Sequence, residues 1–185
     1  MAHVISSPSA AGSAAPPLAR RLDAALCAAN RWLLVGLLAV MAALVIGNVF
    51  SRYLFGHSFS WVEEATRYML IWATFLGAGP ALRVGGHIAI DSLPEALPPR
   101  PARLLRGGIV AIIAITLLAV LWLGTDYAAF AWEQESPVLG WALGKVYLAL
   151  PVGALLTLLH LGFVAPRWVG SGKWETVEGF DPQAL

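Results

Sequence analysis

The sequence predicts an all-α membrane protein: four transmembrane helices, both termini cytoplasmic, with short amphipathic helices lying in the interface. Three observations lead there. Hydrophobic residues make up 58% of the 185-residue chain and charged residues only 12%, against roughly 25% charged in soluble domains; mean hydropathy is +0.71. The apolar residues gather into four stretches, at about 32–51, 61–82, 107–125 and 146–166. Each approaches the ~20 residues that cross a ~30 Å hydrocarbon core as a helix. The basic residues between those stretches divide unequally. Arg20, Arg21, Arg31, Arg83, Arg100, Arg103, Arg106, Arg167 and Lys173 fall on the side of both termini, and only Arg52 and Lys145 on the other. That asymmetry orients the chain with its ends inside.

In chain order, residues 1–19 are rich in Ala, Ser and Pro and read as a disordered tail. The transmembrane domain covers 20–168, and a short cytoplasmic tail follows over 169–185. The first span runs uncharged from Trp32 and ends before Arg52, with Asn48 as its one strongly polar side chain. Tyr53–Phe59 then makes an aromatic turn pivoting on Gly56. The second span, from Trp61 to Leu82, carries Glu63, Glu64 and Arg67 in its first turns. Without those turns the uncharged run from Tyr68 is 15 residues, about 22 Å of helix, which falls short of the core. Late in the span Pro80 cannot donate to the carbonyl of Leu76, which predicts a kink or an early end.

The connection from Arg83 to Arg106 holds a capping-box spacing at Ser92 and Glu95, and Pro101 suits a first helical position. The third span is rich in Ile, Leu and Ala; Ser136-Pro137 marks a turn after it, and Pro151 and Gly153 open the fourth. Trp32 and Trp168 fall at the inner interface and Trp61, Trp122 and Trp141 at the outer one, as an aromatic belt.

The charged turn of the second span is the feature that asks for chemistry. Ser60 and Glu63 match a capping box, and Glu63 or Glu64 can pair with Arg67 across one helical turn. Arg67 lies ~9 Å deeper than Trp61 by helix rise, a depth that favours burial against another helix. The small-residue pairs Ala73/Gly77, Gly140/Gly144 and Ala149/Gly153 allow close helix approach. His160 is the one histidine inside a span, with no second histidine at its depth to ligate haem. The single Cys27 excludes an internal disulfide or a cysteine metal cluster. No cofactor, no nucleic-acid partner and no catalytic motif is expected; the chain does not read as an enzyme.

Two blocks together carry a resemblance. Trp61–Asp91 has the form W-x-E-E-x-x-R-Y-x-x-x-W, then F-L-G-A, then R-x-x-x-H-I-x-x-D; Ser136–Gly153 adds S-P-x-L-G and Y-x-x-L-P-V-G. Both resemble the small membrane subunit of tripartite ATP-independent periplasmic (TRAP) transporters, the DctQ-like family. Gly79-Pro80 departs from the Ala-rich helix usual there. The resemblance implies a bacterial inner-membrane scaffold subunit in sodium-coupled uptake of organic acids. Its implied partners are a large elevator-type membrane subunit, a periplasmic solute-binding protein and membrane lipids. It also implies an assembly interface with Trp61, Glu63, Glu64 and Arg67 at its outer side and Arg83, His87 and Asp91 at its inner side, and Trp72, Gly77, Pro151 and Gly153 are further candidates for it. Two other readings compete: a haem- or quinone-binding membrane anchor, and a small proton-coupled antiporter using Glu63 or Glu64.

Overall fold

The computed structural model describes residues 17–84 and 97–172. Four long helices dominate it: α1 (Pro17–Phe55), α2 (Ser60–Arg83), α3 (Pro99–Phe130) and, after a one-turn α4 (Gly144–Tyr147), α5 (Ala149–Ser171). A 3₁₀ turn at Ala131–Glu133 closes α3. Among the described residues there is no strand, only one isolated antiparallel bridge between Glu135 and Ala142. By length and composition, α1, α3 with its 3₁₀ turn, and the α4–α5 unit are each apolar enough to cross a membrane. Helix α2 is 24 residues long, about 36 Å, but its charged first turns keep it out of that set.

Contacts between the helices fix their directions. Asp23 meets Arg83 at one end and Asn48 meets Phe59 at the other, so α1 and α2 run antiparallel. Gly153 abuts Phe75 and Gly79 abuts His160, so α2 and α5 run parallel. Gly124 touches Pro151 and Gly172 touches Arg106, so α3 is antiparallel to α5. Helix α5 packs against both α2 and α3, and α1 leans on α2. The core is accordingly a seam along α5. None of the most apolar stretch of α1 or of α3 is buried within the chain, against 44% of that of α4–α5.

Glycine sets the closeness of the seam. A Cβ at Gly153 would lie 2.6 Å from Phe75 Cβ, and one at Gly79 would collide with the His160 ring at Cδ2. Gly77, by contrast, has no atom of a described residue within 4 Å of its would-be Cβ, so the Ala73/Gly77 pair makes no crossing among the described residues. Gly144 does, against the Ala128 carbonyl and Trp132, while Gly140 adopts a φ of +63° in a turn instead of a crossing.

Several sequence expectations are corrected. Helix α1 begins at Pro17, inside the expected tail. The α2 N-cap is Phe59 with no side-chain capping bond, so Ser60 and Glu63 form no capping box; the Phe59 N–H donates instead to Asn48 Oδ1 at 2.8 Å. That bond fixes the tight turn at Gly56, whose φ is +67°. Pro80 does not end α2, which continues to Arg83. Pro98 is the N-cap of α3, so Pro99 rather than Pro101 takes the first helical position. Trp168 is buried at 1% exposure instead of facing the interface, while Trp32, Trp61, Trp122 and Trp141 are exposed. Ser92 and Glu95 lie outside the described residues.

Matched alanine substitutions test the seam. Gly153→Ala is expected to lower the thermal unfolding midpoint of the detergent-purified chain, because the methyl meets Phe75 main chain and Cβ. Gly77→Ala is expected to leave it unchanged or raise it slightly, by up to the ~1 kcal/mol helix-propensity difference.

Candidate functional site

Two polar clusters sit at opposite ends of α2. At its N-terminal end Glu64 is buried, at 6% exposure. Its Oε1 accepts the Tyr68 hydroxyl at 2.5 Å, four residues on along the same helix face. Its Oε2 accepts the backbone N–H groups of Val138 and Leu139, at 3.0 and 2.9 Å. The loop so held is a compact turn. Ser136 N–H donates to the Trp141 carbonyl, Ser136 Oγ accepts from Trp141 N–H, and Gly140 N–H returns to the Ser136 carbonyl. The Ser-Pro-Val-Leu-Gly run has a mechanical reason for its composition. Pro137 starts the turn, Gly140 supplies its positive φ, and the amides between them point at a carboxylate. Charge-assisted bonds of this kind are the stronger class.

At the C-terminal end, Arg83 is 5% exposed, Asn30 4% and His160 fully buried. Arg83 Nε–H donates to His160 Nδ1 at 2.6 Å, and its two terminal nitrogens pair with the Asp23 carboxylate. This is a forked arginine–carboxylate pair, in the geometry that suits a guanidinium. Asn30 Nδ2 donates to the Leu76 carbonyl at 3.0 Å and lies 3.3 Å from His160 Nε2. Leu76 is the residue whose carbonyl Pro80, four positions on, cannot serve. A neighbouring helix therefore supplies the missing donor, as proline-containing membrane helices require, and α2 passes through Pro80 unbroken. His160 has Arg83 on one ring nitrogen and Asn30 beside the other, which leaves neither open to an iron.

The residues singled out from sequence separate into three groups. Glu64, Arg83, Pro151 and Gly153 are buried, with their contacts inside the chain. Trp61, Glu63 and Arg67 are exposed, and Trp72 and Gly77 are half-buried. Arg67 makes no ion pair with another described residue, so the expected Glu63 or Glu64 partnership is absent and Glu64 is committed to the loop. His87 and Asp91 lie outside the described residues. Asp23, Asn30 and His160 as a cluster escaped sequence reading. The available signal was an Asn and an Asp on one face of α1 at i and i+7, together with a proline that orphans a carbonyl.

These features define a helical membrane protein whose buried polar side chains at both ends of α2 are engaged within the chain, with no metal-binding cluster among its described residues. The family model described as "Tripartite ATP-independent periplasmic transporters, DctQ component" matches residues 41–165, and the chain belongs to that family. It is 28% identical over 128 residues to the ectoine TRAP transporter small permease protein of Halomonas elongata, covering 68% of this chain and 66% of that protein. It is 29% identical over 126 residues to a TRAP transporter small permease protein of Haemophilus influenzae, covering 67% and 77%. It is also 32% identical over 104 residues to the isethionate TRAP transporter permease protein DctMQ of Oleidesulfovibrio alaskensis, covering 55% of this chain but 16% of that one.

Two substitutions probe the clusters. Asn30→Leu is expected to cost about 1–3 kcal/mol by stranding the Leu76 carbonyl, seen as a lower thermal midpoint. Adding Pro80→Ala should recover part of the loss, because position 80 then has a backbone N–H to serve that carbonyl. Glu64→Ala is expected to speed amide hydrogen exchange at Val138 and Leu139 while leaving exchange in α3 unchanged.

Proposed function

We propose that this chain is the fixed small subunit of a sodium-coupled TRAP transporter in a bacterial inner membrane, with four spans and both termini cytoplasmic. It stands beside a large elevator-type subunit and helps a periplasmic solute-binding protein dock. The observation that carries this reading is the division of its surfaces. The buried polar side chains at both ends of α2 serve the chain's own architecture, while the apolar stretches of α1 and α3 are left unburied. A hydrophilic solute crossing a membrane needs polar groups lining its path. A wall for another protein to move against needs internal rigidity and an apolar outer face, and this chain has both.

Three further points support the reading. In the isethionate relative the matched stretch covers 16% of a much longer permease, as expected of a small subunit working next to a large one. The arginine-rich ends of the helices gather at one end of the bundle, where Arg83 meets Asp23 and Arg106 meets Gly172. That suits four spans with both ends inside. In that arrangement the charged first turn of α2 sits at the outer rim, where Trp61, Glu63 and Arg67 are exposed for a partner. The relatives carry ectoine, isethionate, C4-dicarboxylate and sialic acid in their names. Such a spread fits a subunit that leaves solute choice to its partners. We infer a small organic acid as the solute here.

The test is co-purification and reconstitution. Arg67→Glu is expected to reduce the yield of large subunit recovered with the tagged chain by severalfold, with the isolated chain's thermal midpoint unchanged. Proteoliposomes should take up solute only when both membrane subunits, the binding protein and a sodium gradient are present. Uptake by this chain alone, or no association with a large TRAP membrane subunit from the same organism, would overturn the proposal.

A further inference from the structure

A groove of about 430 Å³ opens between α1 and α2 at the arginine-rich end of the bundle, a volume within the range of small-molecule sites. Cys27, Arg31, Leu34, Val35 and Leu38 line it from α1. Their spacing of i, i+4, i+7, i+8 and i+11 puts them on one stripe about 16 Å long. Pro80 of α2 and Val84 just after it face them, and Arg83 and His160 complete the lining. The wall is apolar except where it meets the arginines.

The charges are not equivalent. Arg83 is matched by Asp23, whereas Arg31 makes no ion pair with another described residue and lies 6.0 Å from the Trp32 ring centroid. Among the described residues, one cation without a counter-charge therefore stands at the mouth of an apolar channel. Its depth is informative. Arg31 and Trp32 are the last polar and first apolar positions at the start of the α1 span, the level of lipid headgroups, where arginine and tryptophan both prefer to sit. Leu34, Val35 and Leu38 continue from there into the hydrocarbon.

We propose that this groove is a binding site for an anionic phospholipid, its phosphate on Arg31 and one acyl chain along the Leu34–Leu38 stripe. A phosphate is a group that answers a guanidinium with no carboxylate partner among the described residues, and a hydrocarbon chain is what answers the stripe below it. The order along α1, cation first and apolar wall inward, is the order of a phospholipid standing in its own leaflet. A free anion would satisfy the first feature and leave the second bare. The inference rests on α1 being inserted in the membrane and does not depend on the identity of the solute.

Cys27 is the chain's single cysteine and lines the groove, which makes it the reporter. The full-length chain is placed in nanodiscs of phosphatidylcholine, with or without phosphatidylglycerol, and maleimide labelling of Cys27 is timed. Labelling is expected to be about fivefold slower with phosphatidylglycerol, the ratio that corresponds to the ~1 kcal/mol one arginine contributes to anionic-lipid attraction. Arg31→Gln should abolish the difference, and Leu34→Trp, which fills the groove, should slow labelling in both lipids. A control carries Cys27→Ser with Leu104→Cys, an exposed position on α3 near the same end, and should label equally in both. The proposal is overturned if Cys27 labels equally in both lipids, if Arg31→Gln keeps the protection, or if the Leu104→Cys control slows as much. It is also overturned if inorganic phosphate protects Cys27 in phosphatidylcholine alone, or if protection needs the large subunit whatever the lipid.

Discussion

The structure depends on how closely α2 lies against α5. Gly153 admits the main chain of Phe75, and Gly79 admits the ring of His160; with any larger side chain the two helices would stand further apart. In lipid, apolar side chains gain little by leaving the bilayer for one another, so helix association rests on close van der Waals packing and interhelical hydrogen bonds. Small residues supply the first along the seam, and the clusters at the two ends of α2 supply the second. Because α2 and α5 run parallel, the α3-to-α4 loop must return to the end where α2 begins. That return brings the loop within reach of Glu64.

The backbone groups freed by proline in a membrane helix need partners from a neighbouring helix, and α2 finds one, although Asn30 Oδ1 itself makes no hydrogen bond among the described residues. Pro80 creates an orphan carbonyl at Leu76, and Asn30 on α1 answers it. His160, fully buried, has Arg83 on one nitrogen, and Arg83 in turn is balanced by Asp23. A half-buried charge pair of this kind is poor evidence of net stability, since desolvation of Arg83 offsets its attraction, but losing the partner of the buried Arg83 is costly. Its effect here is to specify which face of α1 meets α2. Helix α1 otherwise offers long apolar surfaces with little to choose between them.

Much of the helical architecture could be read from the chain because hydropathy acts residue by residue. The long helices and the turn at Gly56 follow from local pattern. The chain's resemblance to DctQ-like subunits rested on two motif blocks, and the structure gives them a common reason: Glu64 of the first holds Val138 and Leu139 of the second. What stayed hidden were pairings between helices. Glu64 and Arg67 are neighbours on one helix, so a one-dimensional reading joins them; the loop amides that capture Glu64 are 74 and 75 positions away. Pro80 was legible as a break in the hydrogen-bond ladder but not as a repaired one, since the repair comes from Asn30. The Ser60 cap failed for a related reason: Phe59, held by Asn48 on the preceding helix, takes the N-cap position and leaves Ser60 inside the first turn.

Glu64 and Arg83 stand 19 positions apart on α2, about 28 Å along its axis, and each is fastened to a different part of the chain. A helix held at one end can swivel or slide; held at both, it can do neither without breaking the two fastenings together. Sliding α2 by one turn, ~5.4 Å, would cost the loop its carboxylate and His160 its arginine in the same step. The helix is therefore useless as a piston. Pressure on the Glu64 end cannot reach the Arg83 end as axial travel, and the helix answers load as a strut.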